Sequence, residues 1–301
     1  MSRYSKELIM AVNLVNTALD ITEWFKNKGF NSYIKQDQSP VTIADFASQI
    51  FIISQLKSHF PTDTVIAEEE KSKFMDNNAK NLIVECFKEL NIDNTLDFEN
   101  IDYRGVSSDR QWTVDPIDGT IGFQKRLFYA IGVGLMVNSV PRICAIAVPN
   151  YSSKPKAIFS AEENRGAYIS YGDHKFTPIK VSQIRELDKA RFCHSLHYDQ
   201  PWVLSIASEL GIKNYIQLDS MIKFCMIAEG SADIYIKPLD ENHSFSWDFL
   251  PGDLIVREAG GIVTDLKNNR LRFKQDKCIW KAPGIIASNK LLHEKVIEQL
   301  K

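Results

Sequence analysis

Six consecutive residues, Asp115-Pro116-Ile117-Asp118-Gly119-Thr120, place two carboxylates, a turn-forming glycine and a hydroxyl within reach of one another. Further acids stand far off in the chain. Glu68, Glu69 and Glu70 follow the apolar run Val65-Ile66-Ala67, and Asp248 follows Trp247. A donor set of carboxylates without cysteine or histidine suits hard divalent cations, which prefer oxygen ligands. Ions of that kind offset the charge of a phosphate ester, generate hydroxide near neutral pH and stabilise a leaving oxygen.

Each motif also has a plainer reading. Asp-Gly is a common turn pair, yet a turn has no need of the second acid, Asp115, directly after a strand-like run. Gly119 lets the backbone approach a ligand closely, and a helical turn starting near Thr120 would aim N–H groups at an anion. Three adjacent glutamates repel one another unless a cation offsets them; Glu68, nearest the strand, is the best ligand. Helix capping fully explains Asp45 in Thr42-x-x-Asp45. Trp247-Asp248 reads equally well as a buried aromatic and an acid at a helix start. His194 and His197 have an H-x-x-H spacing, but no third nitrogen or sulfur ligand stands nearby, which argues against zinc. Lys223 and Lys237, taken singly, read as surface lysines.

These residues need a scaffold, and 301 residues allow one large domain or two of ordinary size. Tyr4, Leu8, Val12, Val15, Leu19, Thr22 and Phe25 predict an amphipathic helix over 3–28, stopped by Gly29. Proline disfavours helix at Ser39, and Thr42 with Asp45 marks a helix start that runs to about Phe60. Val65–Ala67 reads as a short buried strand ending at the glutamates, and Trp112–Val114 as another that delivers Asp115. Residues 71–110 are polar, with one helix carrying Leu82, Ile83, Cys86, Phe87 and Leu90; the remainder reads as a loop able to cover a site. Hairpins are expected around Asn138-Ser139-Val140-Pro141 and Glu163-Asn164-Arg165. The second half alternates: strands at 190–194, 215–218, 233–236, 262–264 and 285–287, helices at 201–210, 221–229 and 249–259, and a last helix from Lys290. The pattern predicts a mixed α/β fold, an α+β N-terminal half (1–150) and an α/β C-terminal half (151–301), with a soft boundary near Asn150–Pro155.

Composition removes several function classes. Thirty-six basic and 38 acidic residues give a net charge of −2, which is not the basic footprint of a nucleic-acid binder. An anionic small molecule would have to be attracted locally, by metals or a few placed cations. Cys86, Cys144, Cys193, Cys225 and Cys278 are odd in number, widely spaced and lack a C-x-x-C pair. They are expected to be buried free thiols in a reducing compartment. The first thirty residues have no continuous apolar core, and no run of about eighteen apolar residues occurs. The expected setting is cytoplasmic, without a membrane partner, and no oligomer is required.

Taken together, Ile66-Ala67-Glu68-Glu69, Trp112 through Thr120, and Trp247-Asp248 with Gly260-Gly261 resemble the lithium-sensitive, magnesium-dependent phosphomonoesterase family that includes inositol monophosphatase and fructose-1,6-bisphosphatase. Within it the chain is most similar to the branch acting on 3′(2′),5′-bisphosphate nucleotides. Asp37 through Asp45, Thr120-Ile121-Gly122-Phe123, Leu218 through Lys223 and Ala232 through Tyr235 carry that likeness. The resemblance implies layers of helices and sheets in the inositol monophosphatase style. It implies that Glu68, Asp115, the Ile117 carbonyl, Asp118 and Asp248 hold two magnesium ions, with Asp45 and Glu68 near a third. Asp45 and Thr120 would orient and deprotonate water. Gly119 and Thr120 would also contact the substrate, and His197, Ser220, Lys223 and Lys237 would contact the nucleotide and its second phosphate. That substrate would be adenosine 3′,5′-bisphosphate, or its 5′-phosphosulfate relative, giving AMP and phosphate from the former. Two positions depart from the branch: Ile121 replaces a usual lysine and Lys237 a usual arginine, so a bidentate fork becomes a point charge. Lys125 and Arg126, close by in sequence, would be the candidates to substitute for that lysine. An inositol phosphate phosphatase, and a binding protein without turnover, remain as alternatives.

Overall fold

The computed structural model of the chain describes residues 4–35, 39–70, 76–92, 97–173, 175–197, 200–239, 245–273 and 284–300. Asp37, Gln38 and Cys278 lie outside them. The apolar spacing of the N-terminal segment becomes α1 (Ser5–Lys28), which buries a stripe that includes Leu14, Val15, Leu19 and Phe25. Gly29 ends it at φ 101°, its N–H donating to the Phe25 carbonyl. A ribbon of β1 (Ser32–Ile34) and β2 (Pro40–Thr42) leads into α2 (Ile43–His59). Here the capping box forms as the sequence implies: Thr42 Oγ1 accepts from the Ala44 N–H, and Asp45 accepts from the Thr42 N–H.

The larger sheet has the order β3-β4-β5-β6-β7-β8-β9. Its strands are β3 (Thr64–Ala67), β4 (Arg110–Asp118), β5 (Ala130–Val137), β6 (Val140–Pro149), β7 (Lys156–Glu162), β8 (Gly166–Ser170) and β9 (Thr177–Ile179). Helix α3 (Asn77–Glu89) precedes β4, and the short α4 (Thr120–Gln124) follows it. Only β3 and β4 run parallel; every later neighbour is antiparallel. The second sheet has the order β11-β10-β12-β14-β13, from β10 (Arg191–His194), β11 (Asn214–Gln217), β12 (Ile234–Pro238), β13 (Ile262–Asp265) and β14 (Gly284–Ser288). The remaining helices are α5 (Pro201–Glu209), α6 (Ile222–Glu229), α7 (Ser246–Glu258) and α8 (His293–Gln299).

Apolar faces dictate how these stack. Helices α1 and α2 cover one face of the large sheet, α6 and α7 lie between the sheets, and α5 and α8 cover the outer face of the small one. The alternating α/β layering expected from sequence is therefore present. Fully buried side chains such as Trp112 and Phe159 each contribute about 2–3 kcal/mol of hydrophobic stabilisation. The turn at Asn150–Pro155, where a boundary is expected, joins β6 and β7 inside one sheet, so the halves 1–150 and 151–301 share that sheet.

Several local expectations change. Strand β4 continues through Asp118 rather than ending at Val114. The first hairpin turns on Asn138 and Ser139 alone, both left-handed (φ 52° and 61°), so Pro141 belongs to β6 and the register shifts opposite it. Helix α7 starts at Ser246, which places Trp247 and Asp248 in its first turn. β9 and a 3-10 turn at Phe98–Asp102 carry no periodic signal. The described part of the expected covering loop is tied down instead: Asn100 Nδ2 donates to Ser54 Oγ, Lys57 Nζ donates to Asn100, and Arg104 donates to the Ile101 and Glu69 carbonyls. Residues 71–75 and 93–96 of that stretch lie outside the described residues. Cys86, Cys144, Cys193 and Cys225 are buried free thiols.

His293 makes the C-terminal layer sensitive to pH. Its imidazole is buried between Ser288 Oγ (2.8 Å) and Thr264 Oγ1 (3.0 Å), and burial lowers its pKa to about 4. The unfolded chain therefore binds a proton that the folded one excludes between pH 6.5 and 4, and stability falls as pH falls through that window. The group accounts for about 2 kcal/mol lost by pH 5. The buried acids of the chain respond in the opposite direction, so the comparison between two proteins isolates the histidine: in urea unfolding the change in stability from pH 7 to pH 5 should be about 2 kcal/mol less favourable in the wild type than in His293→Gln, and equal changes in both would exclude His293 as a cause.

Candidate active site

The site begins at a break in β4. Asp115 pairs with Gly132 and Asp118 with Ala130, so three steps on β4 span two on β5. An extra residue of this kind bends a strand and re-aims its side chains. Ser48 Oγ of α2 donates to the Pro116 carbonyl at 3.1 Å and pins the bulge. Gly119 follows at φ 94°, and a Cβ there would stand 3.2 Å from Ser220 Cβ. Only glycine adopts that conformation readily. The chain then enters α4, whose first residue is Thr120.

Asp45, one turn before Ser48 on α2, faces the same bulge. Its Oδ2 is occupied by the Thr42 N–H (2.8 Å) and hydroxyl (2.5 Å), which leaves Oδ1 for the Thr120 hydroxyl at 3.4 Å. The Thr120 Oγ1 is also 3.3 Å from the Ile117 carbonyl. Burial pushes the Asp45 carboxyl up to about 7; Thr42 pulls against this and the neighbouring Glu68 adds to it. Capping and a place in the site are thus held together by one carboxylate, each oxygen with its own task.

The three glutamates separate on leaving β3. Glu68 stands against the Asp115 carboxyl, Glu69 is buried, and Glu70 is exposed. Gln49 holds the Glu69 backbone at both ends, accepting from its N–H (2.9 Å) and donating to its carbonyl (2.6 Å). Lys35 bridges Glu68 (3.1 Å) and Glu69 (2.6 Å). Burial opposes its charge, yet the two glutamates hold the Lys35 ammonium above its ordinary pKa.

From the second half comes Asp248, in the first turn of α7. Carboxylate oxygens of Asp115, Asp118 and Asp248 all lie within 4.8 Å of one another. Burial, then Glu68, Asp118 and Asp248, raise the Asp115 pKa well above the carboxylate range. Burial pushes Asp248 up to about 7 against the pull of Lys237. Asp115 Oδ1 is buried with no hydrogen-bond partner among the described residues. An oxygen-only donor set with an orphaned buried oxygen and mutual repulsion fits a hard divalent cation. The cluster contains no histidine.

The nucleotide side expected from sequence adjoins this cluster. Ser220, at φ 70°, meets Gly119, and the Met221 N–H donates to Asp118 Oδ2. Lys223 is buried, not on the surface: its Nζ donates to the Leu218 carbonyl at 2.9 Å, and burial lowers its pKa to about 8 although Asp118 and Asp219 oppose. Lys237 lies 4.9 Å over the Phe249 ring. His197 Nδ1 bonds Asp219, and its Nε2 is 2.8 Å from Lys125 Nζ. All the sequence-derived site residues therefore gather around one region. Ser48, Gln49 and Lys35 were not legible as site residues; the sequence offered Lys125 only as a substitute for the lysine absent at 121, and Asp219 only as part of the stretch Leu218 through Lys223, neither with a partner. The one available signal was Ser48-Gln49 as polar neighbours in the otherwise apolar middle of α2.

A profile of the inositol monophosphatase family matches residues 5–301. The 3′(2′),5′-bisphosphate nucleotidase of Schizosaccharomyces pombe is 34% identical, covering 98% of this chain and 95% of its own. Its namesake from Dictyostelium discoideum is 33% identical, over 89% and 87%. Among solved structures, the extragenic suppressor protein SuhB of Bartonella henselae superposes with a TM-score of 0.75 at 20% identity, over 99% of both chains. An IMPase of Thermotoga maritima gives 0.72 at 20%, over 98% and 96%.

Adding Mg2+ should stabilise the wild type by about 2.7 kcal/mol at a hundred times the dissociation constant and so raise its thermal midpoint. Asp115→Asn removes one buried like charge, so the metal-free midpoint should stay level or rise while the Mg2+-dependent gain disappears. A gain that survives in Asp115→Asn removes the metal assignment.

Proposed function

The chain belongs to the inositol monophosphatase family, and we propose that it is a magnesium-dependent phosphomonoesterase that takes the 3′-phosphate from adenosine 3′,5′-bisphosphate, leaving AMP and phosphate. One observation carries the reaction: carboxylates from β4 and α7 meet within 4.8 Å beside the buried Asp45–Thr120 pair. The names of the relatives from Schizosaccharomyces pombe and Dictyostelium discoideum support the substrate.

Glu68, Asp115, the Ile117 carbonyl, Asp118 and Asp248 would hold the ions, two or three in number. Bound there, magnesium supplies charge compensation for the phosphate and acidifies water. The chain's own residues do the rest. Thr120 accepts a hydrogen bond from the attacking water and passes its own proton towards Asp45 Oδ1, the one carboxylate oxygen that Thr42 leaves available. A positioned general base of this type is worth about a hundredfold or more. Lys237 balances Asp118 and Asp248, and Lys223 balances Asp118 and Asp219 from within. Gly119 admits the phosphate to the backbone, while His197 and Ser220 line the nucleotide side.

Phosphate release should be measured from adenosine 3′,5′-bisphosphate, inositol 1-phosphate and inositol 1,4-bisphosphate, with and without Mg2+ and Li+. We expect release only with Mg2+, inhibition by Li+, and the adenosine bisphosphate to lead in kcat/KM. Thr120→Ala should lower kcat about a hundredfold with little change in KM. Preference for an inositol phosphate would transfer the substrate assignment to that class, and binding without release would refute turnover altogether.

A further inference from the structure

Three lysines stand on the nucleotide side, and they are not equivalent. Lys223 is 2% exposed, with its ammonium engaged by the Leu218 carbonyl and the Tyr235 ring. Lys237 lies on Phe249 with its charge directed at Asp118 and Asp248. Lys125, the C-cap of α4, is the exposed one. Its hydrogen bond goes to an imidazole, and it forms no ion pair among the described residues.

That partner is unusual in what it leaves intact. A lysine ammonium only donates, so His197 Nε2 must be the acceptor, and Nδ1 carries the proton that goes to Asp219. Asp219 also accepts from Ser195 Oγ (2.6 Å), the Leu196 N–H (2.9 Å) and the His197 N–H (3.3 Å), which locks the loop carrying the imidazole. Burial opposes its ionisation, yet the Ser195 and His197 hydrogen bonds hold the Asp219 carboxyl below the usual range. A carboxylate partner would cancel the lysine's charge; a neutral imidazole fixes the side chain and leaves that charge in place. Two of the three N–H donors of Lys125 have no partner among the described residues.

The arm is also registered to the reaction centre. Lys125 is about 7.5 Å along α4 from Thr120. Asp219 and Ser220 lead directly to the Met221 N–H that bonds Asp118. A small dianionic group on a substrate whose ester sits at Thr120 is therefore within range of the ammonium.

We propose that Lys125, positioned by Asp219 through His197, binds the phosphate that is not hydrolysed and so sets the preference for a bisphosphate over a monophosphate. The assignment rests on the phosphomonoesterase reading above. Immobilising a lysine normally consumes rotamer freedom on binding; here that freedom is already restricted in the free protein. A charged hydrogen bond of this type is worth about tenfold to a hundredfold in affinity.

Steady-state kinetics on adenosine 3′,5′-bisphosphate and adenosine 3′-monophosphate, with Mg2+, separate the possibilities. Lys125→Ala should raise KM for the bisphosphate at least about tenfold with kcat within about twofold, and leave the monophosphate's constants within about twofold. Lys125→Arg should recover most of the preference, because the charge returns. His197→Ala should raise the same KM, and the double variant should be no worse than about threefold beyond the more affected single one, since the two act as a unit. A preference that survives Lys125→Ala overturns the assignment while leaving the phosphatase intact. Additive losses in the double variant overturn the positioning by His197. A wild type that does not distinguish the two substrates overturns the nucleotidase reading and this assignment together.

Discussion

Repulsion among buried carboxylates governs this structure. Asp45, Asp115, Asp118, Asp248, Glu68 and Glu69 crowd one region, and burial raises the pKa of Asp45, Asp115, Asp118, Asp248 and Glu69. Two like charges about 4 Å apart repel by roughly 4 kcal/mol at an effective dielectric of 20. No fold gathers such groups for stability. Packing on both sides of the large sheet holds the elements in place, and the acids come along with them. The chain supplies partial compensation through Lys35, Lys223 and Lys237. The charge left over is what would draw in divalent ions, and through them a phosphate.

The bulge in β4 converts that crowding into an arrangement. A regular strand would send Asp115 and Asp118 to opposite faces, because side chains alternate. The extra residue brings both towards Asp248. Helix α2 is registered to the same bulge by Ser48, which sets Asp45 against Thr120. Chemistry and cap are therefore one construction: the residue that starts α2 also consumes one oxygen of Asp45 and so selects the other for the reaction.

Elements with strong periodicity or strong end signals were readable in the chain. Helix α1 has its apolar stripe and Gly29, α2 has Thr42 and Asp45, and the second half alternates in short runs. β9 and the 3-10 turn at Phe98–Asp102 were not readable, because each is too short to show an apolar period. Lys35 carries no local mark either, and the sequence places Lys125 beside Ile121 without showing its partner. A lysine's role depends on which group stands opposite, and those groups, Glu68 with Glu69 and His197, come from remote segments.

The order of residue types was enough to determine the kind of chemistry. Oxygen donors without sulfur or nitrogen select the class of ion, and the spacing in Asp115–Thr120 selects a turn that can present them, since both are local properties of side chains and backbone. Which acids meet, and at what distance, was decided only in the folded molecule. Asp248 reaches Asp115 because α7 packs between two sheets, and the cation left exposed is Lys125 rather than Lys223 because packing buries one and a histidine holds the other. Sequence spacing encodes neighbours along the chain; proximity across it arises from the packing of many apolar faces at once.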